Sequence, residues 1–472
     1  MEYNKLTAEL AEELKTKVKG KMLLGEDIAE EYQHDEMPIY GTGMPDGVLL
    51  AADKEDIRTA LMFCNEHKIP FVTRGAGTGL AGGSTPVAGG LVVDTGKLNK
   101  IIGYDFDNFL VTVEPGVFLH DLAADAEEKG YLYAPDPGEK YGTIGGNVST
   151  NAGGMRAVKY GCTRDSVKSM KVMLVTGEEI EVGKTTAKNS SGYNLMHLMV
   201  GSEGTLGVVT EITLKLFPLV KENVSAIIPF EDLHTCIACV PEIMRANLKP
   251  VACELLSMPA VNMCEKYQEK VTFPHEVDGV EPQAFLITTF EADTTDELDL
   301  MIEKASEVVL EAGAMDMFLM ETPAQKRDVW ACRSCFYTAL SEQVKLLDEC
   351  DVVVPVTKMA DYIEYAEKIC GEIGLDFTVM GHAGDGNSHV YCSTMTLDEA
   401  EFKPLAEQFM DKLTAKGIEF GGAVSGEHGI GHTKIGYLED SIGTTQIEIM
   451  KGIKKVFDPN MILNPGKVCY KL

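Results

Sequence analysis

Two histidines flank a short turn in the segment Gly381-His382-Ala383-Gly384-Asp385-Gly386-Asn387-Ser388-His389. Apolar residues lie on both sides of this segment, and Asp385-Gly386 has the chemistry of a hairpin turn. The two strands of such a hairpin would bring both imidazoles close enough to bind one metal ion, so His382 and His389 are candidate ligands. The alternative is a polar hairpin that carries two surface histidines.

A second cluster follows in Ser425-Gly426-Glu427-His428-Gly429-Ile430-Gly431-His432. Glu427 is a candidate third ligand, because two imidazoles and one carboxylate leave coordination positions open for a substrate. His428 is directly beside it and is a candidate general base.

Arg333 is a candidate for binding an acidic substrate. It shares a predicted helix of small and apolar residues with Trp330, the one tryptophan of the chain. A guanidinium group can donate two parallel hydrogen bonds to a carboxylate, so Arg333 would clamp the acid group of a substrate. The alternative is an exposed arginine in a salt bridge.

Glycine is concentrated in residues 74–86, where five glycines fall within nine residues after the apolar run Ile69-Pro70-Phe71-Val72-Thr73. Residues without Cβ allow positive φ angles, and successive amides that point inward bind anions such as a pyrophosphate. Gly77–Gly82 fits the dinucleotide pattern GxGxxG, but Pro86 and the β-rich Leu91-Val92-Val93-Asp94 leave no room for the helix that an NAD site requires. A flexible glycine turn is the alternative.

A long segment at residues 134–154 is rich in glycine, proline and small polar residues, and it contains no charge run. This composition predicts an ordered binding loop without secondary structure of its own. A second glycine-rich loop favours a phosphate-binding site over a merely flexible turn.

Regular elements must position these residues. From Gly47 onward the pattern predicts strand, helix (Lys54–His67), strand, glycine loop and strand. From about residue 222 strands alternate with helices, which predicts a separate α+β domain whose antiparallel sheet is covered by helices on one face. In that domain we expect one helix over Pro323–Lys345 and a strand over Val352–Val356.

The chain has 472 residues and a net charge of −31, from 42 Lys+Arg against 73 Asp+Glu. The length predicts two or three domains, and the negative charge argues against nucleic acid or an anionic membrane surface as a partner. The sequence has no run of about 18 apolar residues and no signal-peptide pattern, so we expect a cytoplasmic protein without a membrane span. The CxxC pairs Cys236/Cys239 and Cys332/Cys335 lie in helical patterns, which predicts core packing rather than a metal or redox site.

Together these motifs resemble those of the FAD-linked 2-hydroxyacid dehydrogenases among the vanillyl-alcohol-oxidase-type flavoproteins, in the branch of the glycolate oxidase D subunit and D-lactate dehydrogenase. The resemblance extends from about Gly47 to Lys467, and the motifs that carry it are Arg74–Pro86, Pro135–Gly154, Gly201–Gly207, His382–His389, Gly426–Gly431 and Asn464–Lys467. It implies an α+β fold, with a two-part FAD-binding domain and an antiparallel-sheet α+β cap domain. The implied boundaries are an N-terminal lead-in at 1–45, the FAD-binding domain at 46–221, the cap domain at 222–418, and a C-terminal segment at 419–472 that returns to the flavin.

The resemblance implies that FAD binds mainly through the glycine-rich loops. The implied contacts are Arg74, Gly75, Ala76, Gly77, Thr78, Gly79, Gly82, Ser84, Pro137, Gly138, Thr143, Gly145, Gly146, Asn147, Ser149, Asn151, Gly153, Gly154, Gly204, Val209 and Asn464. Covalent members of the superfamily carry a histidine where this chain has Thr78, so non-covalent FAD is expected.

The resemblance also implies a metal site. In the related D-2-hydroxyglutarate dehydrogenases, residues that match His382, His389 and Glu427 hold a divalent metal, expected here to be zinc, iron or manganese. In the same relatives a histidine that matches His428 acts as the base, and an arginine that matches Arg333 binds the substrate carboxylate. Glu349-Cys350 stand where those relatives have a lysine for a second carboxylate, which favours a monocarboxylate substrate.

The expected reaction is the oxidation of D-lactate to pyruvate, with electrons passing from the flavin to a protein acceptor. The resemblance implies quinones, companion iron–sulfur subunits or electron-transferring flavoprotein as the acceptor. The expected cytoplasmic location favours electron-transferring flavoprotein, with NAD or ferredoxin coupling in that partner. The alternatives are a glycolate or D-2-hydroxyglutarate dehydrogenase subunit, an oxidase that uses O₂, and a non-catalytic flavin-binding subunit. Retention of His382, His389, Glu427 and His428 argues against the non-catalytic alternative.

Overall fold

A computed structural model describes residues 2–37, 39 and 41–472 of the chain. The chain divides into two compact units. The first unit comprises Met1–Gly153, Gly161–Leu219 and Glu427–Leu472, and the second comprises Gly154–Tyr160 and Val220–Gly426. Helices and antiparallel sheets occur in the same chain, so the predicted α+β class is confirmed. Within the described residues, no helix has both the length and the apolar character needed to cross a membrane.

The first unit begins with a small sheet of strands β1 (Lys21–Leu23), β2 (Gly47–Leu50), β3 (Phe71–Arg74) and β4 (Leu91–Asp94). Their order is β1-β2-β4-β3, with β1 antiparallel to β2 and the other pairs parallel. Helix Lys54–His67 connects β2 to β3, and Asp53 begins it by accepting the N–H groups of Glu55 and Asp56. The predicted order of strand, helix, strand, glycine loop and strand is confirmed.

A second sheet of this unit is fully antiparallel and has the order β5-β6-β10-β8-β9. Its strands are β5 (Ile101–Asp105), β6 (Leu110–Val113), β8 (Val167–Met173), β9 (Glu179–Gly183) and β10 (Val208–Lys215), and β7 (Tyr131–Leu132) pairs separately with β11 (Phe217–Pro218). Buried and half-buried residues alternate along β10, as expected for a strand with one face in the core.

The α-helices of the first unit are Ala8–Lys15, Lys54–His67, Leu119–Glu128, Ile144–Thr150, Thr163–Ser166, Leu195–Met199, Ile435–Ile442 and Thr444–Phe457. Helix Ile144–Thr150 lies inside the segment predicted to be a loop, so that prediction was wrong. The Thr143 hydroxyl accepts the Gly146 N–H at 3.2 Å, and Ile144 and Val148 are fully buried. Capping and burial therefore outweigh the low helix propensity of the glycines.

The N-terminal segment, predicted to precede the first domain as a lead-in, contributes β1 and buried side chains that include Leu6, Leu14 and Met22 to this unit. Asp56 holds the segment in place. Its carboxylate accepts the N–H groups of Lys19 at 2.7 Å and Gly20 at 2.8 Å.

The second unit contains a seven-stranded antiparallel sheet with the order β15-β12-β14-β13-β17-β18-β16. Its strands are β12 (Glu222–Phe230), β13 (Ala252–Ser257), β14 (Ala284–Ala292), β15 (Phe318–Leu319), β16 (Leu346–Val353), β17 (Asp376–His382) and β18 (Asn387–Thr394). All residues of β18 and most of β14 are buried, so both faces of the sheet are covered. Two groups of helices contact the sheet, one with Leu233–Arg245 and Met359–Ile373 and the other with Met258–Gln268 and Phe336–Gln343. The prediction of helices on one face was wrong because continuous burial along a strand requires cover on both sides.

The α-helices of the second unit are Ala157–Tyr160, Leu233–Arg245, Met258–Gln268, Thr295–Glu311, Pro323–Ser334, Phe336–Gln343, Met359–Ile373 and Glu399–Glu419. The single helix predicted over Pro323–Lys345 is divided at Cys335, whose N–H closes the first helix on Ala331 O. The following strand begins at Leu346, not at Val352, because it pairs with β18 along its whole length.

The described residues also contain short 3₁₀ helices, at Gly25–Asp27, Glu30–Gln33, Phe106–Asn108, Val356–Lys358 and Ala383–Asp385. None of the twelve cysteines, all of which lie within the described residues, forms a disulfide. Cys236, Cys239 and Cys332 are buried in helices, which confirms the predicted core packing, and Cys335 is half-buried at the helix break.

Candidate active site

The first glycine loop, residues 75–86, is the first part of the connection between β3 and β4 in the first unit. Gly77 and Gly82 have φ angles of 81° and 70°, which favour glycine. A Cβ on Gly77 would also overlap the guanidinium of Arg74, and one on Gly82 would overlap the imidazole of His432. Glycine is therefore required at both positions for steric as well as backbone reasons.

Two buried charged side chains, Asp35 and Arg74, make hydrogen bonds that stabilise this loop. Asp35 accepts the Gly82 N–H at 2.5 Å, and Arg74 donates from Nη1 to His34 O at 2.8 Å and to Ser84 Oγ at 3.2 Å. Burial raises the pKa of Asp35 although its backbone hydrogen bonds act in the opposite direction. Each of these charges has compensating contacts, which a buried charge requires.

The C-terminal motif contacts the same loop. Asn464 Nδ2 donates to Gly83 O and Glu203 O, both at 2.7 Å, and Lys467 Nζ donates to Thr85 O at 2.5 Å. Burial lowers the pKa of Lys467 to about 8, against the opposing effect of Glu203. The Glu203 carboxylate in turn accepts the N–H groups of Ile430 and Gly431 at 2.8 Å each, so three distant segments meet at the loop.

The loop suits an anionic ligand such as the pyrophosphate of FAD. Across the described part of the chain, none of the backbone N–H groups of residues 75–81 donates a hydrogen bond. Glycines keep Cβ atoms away from this row of donors, which is the arrangement that binds phosphate oxygens.

The residues expected to contact FAD fall into three groups. Those of the first loop follow β3, and those between Thr143 and Ser149 form the cap and body of helix Ile144–Thr150. A Cβ on Gly75 would overlap Thr143 Oγ1, so these two groups are in contact. The third group is dispersed over β10 and the loops, and all members of the three groups except Gly154 belong to the first unit.

The hairpin of β17 and β18 carries the two predicted metal ligands of the second unit. His382 ends β17, His389 lies within β18, and their ring centroids are 5.2 Å apart. The two residues are only 5% and 4% exposed. They are not surface histidines, so that alternative was wrong.

Each imidazole meets a buried carboxylate through Nδ1. His382 Nδ1 lies 2.9 Å from Glu254 Oε1, and His389 Nδ1 lies 2.8 Å from Glu349 Oε1. Because an ionised carboxylate can only accept, these contacts place a proton on Nδ1 of each ring, so Nε2 is the nitrogen that a neutral imidazole would offer to a metal ion. Metal-binding histidines typically have this carboxylate contact, so the pair fits a divalent metal ion.

Arg333 belongs to the same buried cluster. Its Nε and Nη2 donate to Glu254 Oε2 at 2.9 and 2.6 Å, and the two side chains are 4% and 0% exposed. The alternative of an exposed arginine was therefore wrong, and the carboxylate that this guanidinium contacts is Glu254. Burial acts to raise the pKa of Glu254, but His382 and Arg333 hold it below its usual value.

Asp351 binds the two residues that precede Glu427 in the chain. It lies opposite His389 across β16 and β18, and it accepts from Ser425 Oγ at 2.8 Å and from the Gly426 N–H at 3.1 Å. Glu427 and His428 follow directly and begin the last segment of the first unit, with Glu427 Oε1 4.0 Å from His428 Nε2.

Neither Glu254 nor Asp351 was predicted from the sequence to contact the site residues. The available signal was a carboxylate within an apolar strand, as in Ala252-Cys253-Glu254-Leu255-Leu256. A charged residue in a strand that is otherwise buried requires a partner.

Two family models match most of the chain. Residues 45–183 match the family model of the FAD binding domain, and residues 219–468 match that of FAD linked oxidases, C-terminal domain. The chain belongs to the FAD-linked oxidase family. It is therefore a flavoprotein oxidoreductase, as the sequence motifs predicted.

Members of the FAD-linked oxidase family similar to this chain include D-lactate dehydrogenase of Anaerostipes hadrus, 50% identical over 100% of this chain and 99% of that protein. Glycolate oxidase subunit GlcD of Bacillus subtilis is 36% identical over 93% of this chain and 92% of its own length. D-2-hydroxyglutarate dehydrogenase of Xanthomonas citri is 33% identical over 90% of each chain.

Solved structures support the fold of the FAD-linked oxidase chain. p-Cresol methylhydroxylase with substrate bound superposes with a TM-score of 0.80 at 18% identity, over 98% of this chain and 96% of that one. 4-Ethylphenol oxidase from Gulosibacter chungangensis gives a TM-score of 0.79 at 19% identity, over 98% and 97%. The expected vanillyl-alcohol-oxidase-type fold is confirmed.

Gly82→Ala should abolish FAD binding, because the methyl group would overlap His432 and displace the loop that lies over Asp35. FAD content, measured from the flavin absorbance of the purified protein, checks this. Gly130→Ala is the matched control, since Gly130 has a φ of 83° but open space around its Cβ position. Equal FAD content in the two variants would contradict a specific role for the loop.

Proposed function

We propose that this chain is an FAD-dependent D-2-hydroxyacid dehydrogenase that oxidises D-lactate to pyruvate. The observation that carries the proposal is the buried cluster of Arg333, Glu254, His382 and His389. It places a guanidinium suited to a carboxylate in one cluster with two imidazoles suited to a metal ion. The full-length similarity to a D-lactate dehydrogenase supports the choice of substrate. In this proposal residues 46–221 bind FAD and residues 222–418 bind the substrate.

FAD, when bound, supplies the acceptor for the hydride that leaves the substrate Cα. We assign its binding to the glycine loops and to Val209 and Asn464. Thr78 stands in the first loop and cannot form the covalent flavin link of a histidine, so the cofactor is held by non-covalent contacts.

The second proposed group is one divalent ion, zinc, iron or manganese, held by His382, His389 and Glu427. Such an ion, when bound, supplies Lewis-acid chemistry at the substrate hydroxyl. The nitrogens of His382 and His389 assigned to it are Nε2, since Nδ1 of each ring contacts a carboxylate. Glu427 follows Gly426, which is hydrogen-bonded to the residue opposite His389.

The remaining side chains have complementary roles in this reaction. The Nη1 side of Arg333 binds the substrate carboxylate, because Nε and Nη2 are occupied by Glu254. This contact orients the Cα–H bond of the substrate. His428 accepts the proton from the substrate hydroxyl oxygen as the hydride leaves Cα.

Glu349 supports a monocarboxylate substrate. Its side chain is 5% exposed and contacts His389, so the surroundings of the proposed metal ion contain a buried carboxylate. A second carboxylate on the substrate would be repelled there. The repulsion favours D-lactate over D-2-hydroxyglutarate, the substrate in the name of one relative of similar length.

The electron acceptor is proposed to be electron-transferring flavoprotein, in the cytoplasm, with NAD or ferredoxin coupling on the side of that partner. The motif resemblance supports this choice, and the net charge of −31 would favour a basic docking surface on the partner.

D-Lactate should bleach the bound flavin under anaerobic conditions, whereas L-lactate should not, because Arg333 and the metal ion together present one face of Cα to the flavin. Absorbance at the flavin maximum, followed after addition of each acid, measures this. Glycolate and D-2-hydroxyglutarate serve as comparison substrates. Bleaching by D-2-hydroxyglutarate alone would refute the substrate assignment.

Reduced enzyme should be reoxidised rapidly by electron-transferring flavoprotein and slowly by O₂ or NAD. Stopped-flow absorbance of the substrate-reduced protein distinguishes the three acceptors. Direct and rapid reduction of NAD by the isolated chain would exclude the proposed partner, and rapid turnover with O₂ would identify an oxidase.

His389→Ala should lose the metal ion and its activity together, since a ligand is missing. His428→Ala should keep the metal but lose turnover by about 10²–10⁴-fold, the usual range for a missing general base. Metal analysis beside steady-state kinetics separates the two effects, and His120→Ala, which changes an exposed histidine of the first unit, is the control. A metal-free His389→Ala protein with full activity would refute the site.

A further inference from the structure

Glu254 is the most completely buried member of the cluster in the second unit, and its side chain is 0% exposed. It lies in the middle of β13 and has described contacts with two functional side chains. Oε2 accepts from Nε and Nη2 of Arg333, and His382 Nδ1 lies 2.9 and 3.0 Å from the two carboxylate oxygens. One carboxylate therefore connects the proposed substrate-binding cation to a proposed metal ligand.

The three residues come from separate parts of the chain. Arg333 is 79 residues from Glu254, and His382 is 128 residues from it. The Arg333 side chain has several rotatable bonds, and burial alone does not orient its guanidinium. Two hydrogen bonds to one carboxylate oxygen fix the plane of that group. The imidazole of His382 has two tautomers, and the contact with a carboxylate selects the one that is protonated at Nδ1.

We propose that Glu254 is a positioning residue for both halves of the substrate site. It holds His382 with Nε2 directed away from the carboxylate for metal binding, and it holds Arg333 with Nη1 available to a substrate carboxylate. Glu254 itself touches neither the substrate nor the flavin. This inference rests on the proposed function.

Glu254→Gln is the informative substitution, because glutamine has nearly the same shape but only one accepting oxygen. If that oxygen stays on Arg333, the amide NH₂ faces His382 Nδ1 and moves the ring proton to Nε2, which blocks metal binding. If the amide is reversed, Arg333 loses its acceptor. Either orientation disrupts one half of the site.

A matched control exists in the same unit. Glu265 is also buried, at 6% exposure, and its carboxylate lies 2.6 Å from His275 Nε2 and accepts the Phe273 N–H at 2.8 Å. It belongs to none of the proposed binding groups. Glu265→Gln therefore disturbs the contact between a buried glutamate and an exposed histidine without changing the proposed site.

The experiment compares wild-type holoenzyme with Glu254→Gln and Glu265→Gln in three measurements: metal affinity, KM for D-lactate, and FAD content. We expect Glu254→Gln to weaken metal binding about 10–100-fold, the range for lost contacts to metal-binding histidines, and to raise KM. FAD content should be unchanged, because the glycine loops belong to the first unit. Glu265→Gln should match wild type in all three measurements.

A merely structural role for Glu254 predicts a different result. Both variants would then lose thermal stability to a similar degree, with wild-type metal affinity and KM in the protein that remains folded. That outcome would overturn the inference while leaving the proposed function intact. Wild-type protein that binds no divalent metal and is not reduced by D-lactate would instead overturn the proposed function and this inference with it.

Glu254→Asp covers the case in which Glu254→Gln does not fold. Aspartate keeps the charge, but its shorter side chain cannot reach both His382 and Arg333. Weakened metal binding or a raised KM in this folded variant supports the positioning role. Wild-type values of both would overturn it.

Discussion

A carboxylate that has lost all contact with water must be matched by charge and hydrogen-bond donors, and in the second unit this requirement falls on Glu254. Arg333 and His382 meet it from a helix and from the end of a β-hairpin. The need to satisfy one buried charge thus brings together three segments that are far apart in the chain. A similar contact between Glu349 and His389 fixes the second imidazole.

The first unit uses buried charge for a different purpose. Asp35 accepts the Gly82 N–H of the first glycine loop, and Lys467 donates to its Thr85 carbonyl. Arg74 donates to the Ser84 hydroxyl, and the Glu203 carboxylate binds the neighbouring segment at Ile430 and Gly431. A loop of glycines has high conformational entropy when unfolded, so these contacts are what keep it in one arrangement. The row of N–H groups at residues 75–81 is left for an anionic ligand, in keeping with the FAD-linked oxidase family to which the chain belongs.

Local patterns predicted the parts of the fold that depend on local chemistry. The Asp385-Gly386 turn placed His382 and His389 on one hairpin, and the glycine loop between β3 and β4 was identified from its composition. Helix Ile144–Thr150 was not predicted, because its glycines have low helix propensity. The Thr143 cap and core packing stabilise it. The role of Glu254 was not predicted, because its partners lie 79 and 128 residues away in the chain. No local sequence motif indicates such a contact.

The proposed site depends most on His382 and His389, which we propose bind a metal ion through Nε2 while Nδ1 remains on a carboxylate. An anomalous difference map from crystals of metal-loaded protein, recorded at the absorption edge of the metal, tests this directly. We expect one peak about 2.0–2.1 Å from Nε2 of both His382 and His389. A peak bonded to Nδ1 of either ring, or a metal bound elsewhere with none at the two rings, would contradict it.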